Sequence, residues 1–202
     1  MNIAVVRYNA GNIRSVINAL HRIGIEPLVT DDAAELAVAD RVIFPGQGEA
    51  ANTMSYLRES GLDEVIRALK QPVLGICIGQ QLLCAHSEEG DTPCLGVFDS
   101  PVRRFPAACE TGRVKIPQIG WNTIENLQTP LFAGLKEGDF VYFVHSFYVP
   151  DCAAAIARTT YGGVTYASAL HRGNFYATQF HPEKSGDVGL RILHNFIHLC
   201  HD

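Results

Sequence analysis

The chain has 202 residues, 47% apolar and 18% charged, enough to close a sizeable hydrophobic core within one domain. Its formal net charge of -5 disfavours nucleic acid as a partner. The opening MNIAVVRYN carries no basic leader, and Gly, Pro or charge interrupts every longer apolar run, so a cytoplasmic protein with no membrane partner is expected.

Ile3 to Val6 forms a short apolar run, and apolar residues at 13, 16, 17, 20 and 23 fit one face of a helix over Ile13 to Ile23. Further strands are expected at Leu28 and Val29 and from Arg41 to Phe44, the latter ending abruptly at Pro45 and Gly46. Residues 50 to 70 pattern as helix interrupted or capped at Gly61, Val73 to Ile76 as a buried strand, and GQQLLCAHSEEG as a helix ending near Gly90. This alternation predicts an α/β fold, with a central mixed, mostly parallel sheet flanked by helices.

The second half has short β-prone segments around 95–105, 113–121, 139–149, 153–159, 164–170 and 174–180, which suggest antiparallel additions. Val188, Ile192, Leu193, Phe196, Ile197 and Leu199 predict a final helix. No linker divides the chain, so residues 1–202 are expected to form one domain.

The six cysteines, at 77, 84, 94, 109, 152 and 200, show neither a C-x-x-C pair nor a compact Cys/His cluster. Thiols in a reducing compartment are expected, with no structural zinc. Nothing in the sequence calls for a metal or an organic cofactor.

Cys77 lies in VLGICIGQQLL, where an apolar strand passes through glycines into a helix. Such an elbow can project a nucleophile, although a free cysteine in this pattern is also compatible with a small buried hydrophobe. A cysteine hydrolase needs a base, and QFHPEKSG offers His181 with Glu183 two residues on to orient the ring. Alone, the His-Glu pair fits a solvated surface; joined to the elbow, it fits a catalytic set.

FPGQGEA at 44–50, GICIGQQLL at 75–83 and QFHPEKSG at 179–186 together resemble a class I glutamine amidotransferase. GNIRSV at 11–16, PQIGWN at 117–122 and YFVHSF at 142–147 narrow the resemblance to the glutaminase subunit of imidazole glycerol phosphate synthase. It covers essentially the whole chain.

The resemblance implies Cys77 as nucleophile, His181 as base and acid, and Glu183 as its orienting carboxylate. It implies the amides of Gln47 and Ile78 as oxyanion donors, and Gly48, Gln81, Glu89, His145, Ser146 and Phe147 as the glutamine site. Asn12, Gln118, Trp121, Asn122 and Lys184 would meet a (β/α)₈-barrel cyclase in a heterodimer. Two residues depart from the pattern: Phe147 stands where the family usually has Tyr, and Gln118 where it often has His. A paralogous glutaminase feeding a sugar-modifying synthetase, or a non-enzymatic interaction protein, are the competing readings.

Overall fold

The computed structural model describes residues 1–8, 13–109 and 112–201. β1 (Ile3–Val6) leads to α1 (Ile13–Arg22), β2 (Leu28–Thr30), α2 (Ala33–Val38) and β3 (Arg41–Phe44). α3 (Ala50–Ser60) and α4 (Leu62–Ala68) follow, divided at Gly61. Next come β4 (Val73–Ile76), the short α5 (Ile78–Leu83), β5 (Cys84–Ser87), β6 (Thr92–Pro93) and β7 (Phe98–Arg104). β8 (Ala108–Cys109) and β9 (Gly112–Arg113) form a small separate ribbon, as do β10 (Gln118–Thr123) and β11 (Phe140–His145). The chain closes with β12 (Phe147–Pro150), β13 (Ala155–Tyr161), β14 (Val164–Arg172), β15 (Phe175–Thr178) and α6 (Gly186–His198).

The central sheet runs β2-β1-β3-β4-β15-β14-β12-β7-β5-β6, with β13 paired to β14. The first five of these strands are parallel, and antiparallel pairings begin where β15 meets β14. The expected mixed sheet flanked by helices is therefore present.

The parallel strands are apolar on both faces, because helices cover both. Ile3, Val5, Ile43, Leu74 and Ile76 face Leu20, Leu193 and Phe196 of α1 and α6. Ala4, Val42, Phe44 and Val73 face Leu36, Met54, Leu57 and Ile66 of α2, α3 and α4. Each fully buried aliphatic side chain contributes about 1.5–3 kcal/mol. β7 instead alternates buried Phe98, Ser100 and Val102 with exposed residues, as expected of a strand covered on one face.

One expectation needs correction, and one helix was not anticipated. The helix expected over 79–90 ends at Leu83, and Cys84–Ser87 is strand β5. Its pairing with both β6 and β7 outweighs the local helical pattern, so the sheet decides the conformation. The segment before β3 contains a helix that the periodicity did not suggest, α2, whose Asp32 side chain accepts from the amides of Ala34 and Glu35 at 2.8 and 3.0 Å.

β3, β4 and β15 lie side by side in parallel register, with Phe44 opposite Gly75 and Thr178 opposite Ile76. Their carboxyl ends lead directly into the turn at 45–48, Cys77 and the 179–183 segment. Such an edge is where parallel α/β sheets place ligand sites. Among the described residues, no helix is long and apolar enough to cross a membrane.

Candidate active site

Cys77 adopts φ 55 and ψ -108 between β4 and α5, a conformation costly for a residue with a Cβ. The surroundings enforce it. The Cys77 amide donates to the Thr178 carbonyl at 2.8 Å, and the Cys77 carbonyl accepts from Gln80 at 3.0 Å. Gly79 permits the elbow's close approach to β3, since a Cβ there would collide with the Phe44 carbonyl oxygen. Cys77 is 8% exposed.

His181 follows the carboxyl end of β15, and its amide bonds the Tyr142 carbonyl at 2.9 Å. Its Nδ1 meets Glu183 Oε1 at 2.8 Å, with both side chains 1% exposed. Burial opposes the charged ring, but the charge and hydrogen-bonding of Cys77, together with Glu183, outweigh it and push His181 up to about 10. Nε2 is buried without a hydrogen-bond partner of regular geometry, so Cys77 acts on the ring chiefly through charge. A thiol, an imidazole and a carboxylate in this order can form a thiolate-imidazolium pair and transfer a proton to a leaving group.

The turn Pro45-Gly46-Gln47-Gly48 packs against the start of α5. A Cβ on Gly46 would collide with Ile78 Cγ2 and with the Tyr8 hydroxyl, so only glycine fits without displacing them. That hydroxyl donates to the Pro45 carbonyl and is held neutral by burial and by the charge of Cys77. Gln47 and Ile78 thus sit on the two segments that bracket Cys77.

A cavity of about 240 Å³ opens onto Cys77, room for one small polar molecule. Gly48, Ile78, Gln81, Glu89, His145, Ser146 and Phe147 all line it, together with Pro117 and Val144. Glu89 Oε2 accepts from the Ala50 amide at 2.8 Å, closing the first turn of α3, and its pKa is raised, chiefly by burial. Gln81 Nε2 bonds both the Phe147 carbonyl at 3.1 Å and Gln179 Oε1 at 2.9 Å. Phe147 joins this network through its main-chain carbonyl, which also accepts from His145.

His145 differs from His181. Burial drives it down to about 4, so it is neutral near pH 7. Its Nδ1 donates to the Phe147 carbonyl at 2.7 Å and its Nε2 faces the Tyr166 hydroxyl at 3.3 Å.

The residues expected to meet a partner are dispersed. β10 and β11 alternate, which leaves Ile119, Trp121 and Phe140 more than half exposed on one face and Val141, Phe143 and His145 buried on the other. Trp121 stands edge-on to Tyr142, ring centroids 6.1 Å apart. Asn122 is tied down locally, donating to the Thr160 carbonyl at 3.0 Å, and Lys184 is partly exposed. Gln118 is 3% exposed and accepts from the Tyr166 hydroxyl at 3.0 Å, so in this chain it faces the interior rather than the exposed face. Asn12 lies outside the described residues.

Sequence reasoning passed over Gln179 and Tyr8. Gln179 stands within QFHPEKSG, two residues before His181, and its Nε2 is 3.8 Å from Cys77 Sγ. Tyr8 had no motif to mark it.

The family model for glutamine amidotransferase class-I matches residues 5–200. The chain belongs to the class-I glutamine amidotransferases. Within that family it is 56% identical over 200 residues to the imidazole glycerol phosphate synthase subunit HisH of Bacteroides thetaiotaomicron, covering 98% of this chain and 100% of the relative. The HisH subunit of Aromatoleum aromaticum is 43% identical over 206 residues, covering 97% of each. The fold is also that of a solved glutamine amidotransferase crystal structure, at TM-score 0.71 and 23% identity over 96% of this chain and 98% of the other.

Proposed function

We propose that the chain hydrolyses glutamine to glutamate and supplies the ammonia to a cyclase partner, as the glutaminase subunit of an imidazole glycerol phosphate synthase in histidine biosynthesis. The observation that carries the chemistry is the convergence of His181 and Glu183 on Cys77, which opens onto the cavity. Identity of 43–56% along nearly the whole chain with HisH subunits supports the acceptor and favours it over a sugar-modifying synthetase.

In this reading Cys77 attacks the side-chain amide carbon, and the amides of Gln47 and Ile78 receive the developing oxyanion. Protonated His181 gives its proton to the departing ammonia, leaving a γ-glutamyl thioester. Water then adds with proton transfer to His181, and glutamate departs. Glu89, with Gly48, Gln81 and Ser146, would hold the amino-acid end of the substrate.

Free ammonia is largely protonated near neutral pH and then is no nucleophile, so direct delivery to a (β/α)₈-barrel cyclase in a heterodimer fits the chemistry. The exposed Ile119, Trp121 and Phe140 supply an apolar face for that partner. Free thiols at Cys77, Cys84, Cys94, Cys152 and Cys200 agree with a cytoplasmic setting.

Reconstitution with the candidate cyclase tests the reading. Glutamate and imidazole glycerol phosphate should form together, and Cys77→Ala should abolish both; wild-type turnover by that variant would overturn it. The Tyr8 hydroxyl holds the oxyanion turn through Pro45, so glutaminase activity should be weak in the isolated chain and rise in the liganded complex. Equal, high activity in both would remove the gating.

A further inference from the structure

We propose that Gln179 is a catalytic hydrogen-bond donor to the Cys77 sulfur, and that Gln81 and the Phe147 carbonyl fix the direction in which its amide points. The proposal rests on Cys77 being the nucleophile and adds a group that acts on its sulfur.

The two ends of a glutamine amide are nearly alike in shape, so their direction must follow from what surrounds them. A main-chain oxygen sets that direction. The Phe147 carbonyl can only accept, and His145 Nδ1 at 2.7 Å and Gln81 Nε2 at 3.1 Å occupy its two lone pairs. Gln81 must therefore present nitrogen, and its second hydrogen goes to Gln179 at 2.9 Å. Facing a donor, Gln179 must present Oε1, which leaves its Nε2 for Cys77 Sγ at 3.8 Å. Gln179 is fully buried and Gln81 is 3% exposed, so an unmade bond at Gln179 would leave a buried polar group unpaired. Turning Gln179 over would set two N–H groups against each other and a carbonyl oxygen against the sulfur.

The sulfur also meets the Val144 carbonyl at 3.9 Å, which can accept from the thiol but repels a thiolate. Gln179 supplies the opposite preference, since its N–H is strongest toward a charged sulfur. Among the described residues, the titratable groups that face the sulfur or line the cavity over it include His181 with Glu183, the buried Tyr8 hydroxyl, His145 and Glu89. The donor acts twice in the cycle. It favours the attacking thiolate, and when water has added to the thioester and the C–S bond breaks, the electron pair returns to sulfur and the N–H stabilises that charge while His181 holds the proton taken from water.

The test is the pH dependence of Cys77 alkylation by iodoacetamide in the full-length chain, followed by peptide mass spectrometry and independent of glutaminase activity. Gln179→Met should raise the alkylation midpoint by about one pH unit. Gln179→Glu should raise it further by placing a carboxylate against the sulfur, and Gln81→Met should raise it by less than Gln179→Met. If Gln179→Met loses the fold, Gln179→Asn, one methylene shorter, is measured in its place. An unmoved midpoint in a folded Gln179 variant overturns the proposal. A raised midpoint in the Gln179 variants, with a wild type that shows no glutaminase activity alongside the cyclase, would leave the donor standing and overturn the amidotransferase reading instead.

Discussion

The turn that carries His181 and the strand end that carries His145 put two imidazoles into one buried neighbourhood with opposite results. His181 is pushed up to about 10 and His145 down to about 4. Burial works against the charge on both rings. What separates them is the partner set: His181 faces a carboxylate and an ionisable thiol, whereas His145 faces a main-chain carbonyl and a tyrosine hydroxyl. Burial keeps His145 neutral, whereas at His181 the thiol and the carboxylate outweigh the same burial.

Removing each ring should separate them most sharply. His181→Asn is expected to lower glutaminase kcat in the complex by about 10⁴-fold, while His145→Asn lowers it by less than about 10-fold, both read by steady-state glutamate release. Equal losses would erase the distinction.

Next in size, Glu183→Gln keeps an acceptor near His181 but removes the negative charge, and should reduce kcat by about 10²-fold. The same change should lower the His181 pKa, followed by the imidazole NMR shift. Cys77→Ala should lower it too, since the charge and hydrogen-bonding of Cys77 are the leading causes of the rise.

Stability should respond on opposite sides of neutrality. His181 is raised above its unfolded value near 6.5, so its contribution is complete below that pH and is lost as pH rises through about 10. His145 is lowered, so the folded state gains from its neutral ring above about 6.5 and loses that gain as pH falls toward about 4, a difference of about 3 kcal/mol. Denaturant titrations from pH 7 to 4 should show this acid loss in the wild type and its reduction in His145→Asn.

The smallest effect should be that of His145→Asn at pH 7. Loss of the bond to Phe147 should cost about 1–3 kcal/mol, measured as a lower denaturation midpoint with glutamine turnover largely kept.

The sequence carried the parallel half of the fold well, because β1, β3 and β4 are short apolar runs bounded by turn residues, and α6 has an unbroken helical stripe. It misled at Cys84–Ser87, where pairing with distant β7 overrides a local helical pattern. α2 lacked a strong periodicity, although Asp32 followed by Glu35 is an N-terminal signal. At the site, motifs named the residues that line the cavity but could not give the inward position of Gln118 or the orientation of Gln179. Both depend on hydrogen bonds to residues 48 and 98 positions away along the chain.

The alternation of the β10–β11 ribbon has a consequence of scale. Trp121 lies opposite Tyr142, and two rungs along the same face Ile119 lies opposite Val144, which lines the cavity over Cys77 and whose carbonyl meets the sulfur. Two rungs span about 7 Å. A protein surface laid across the tryptophan would therefore touch the same short ladder that shapes the space above the sulfur.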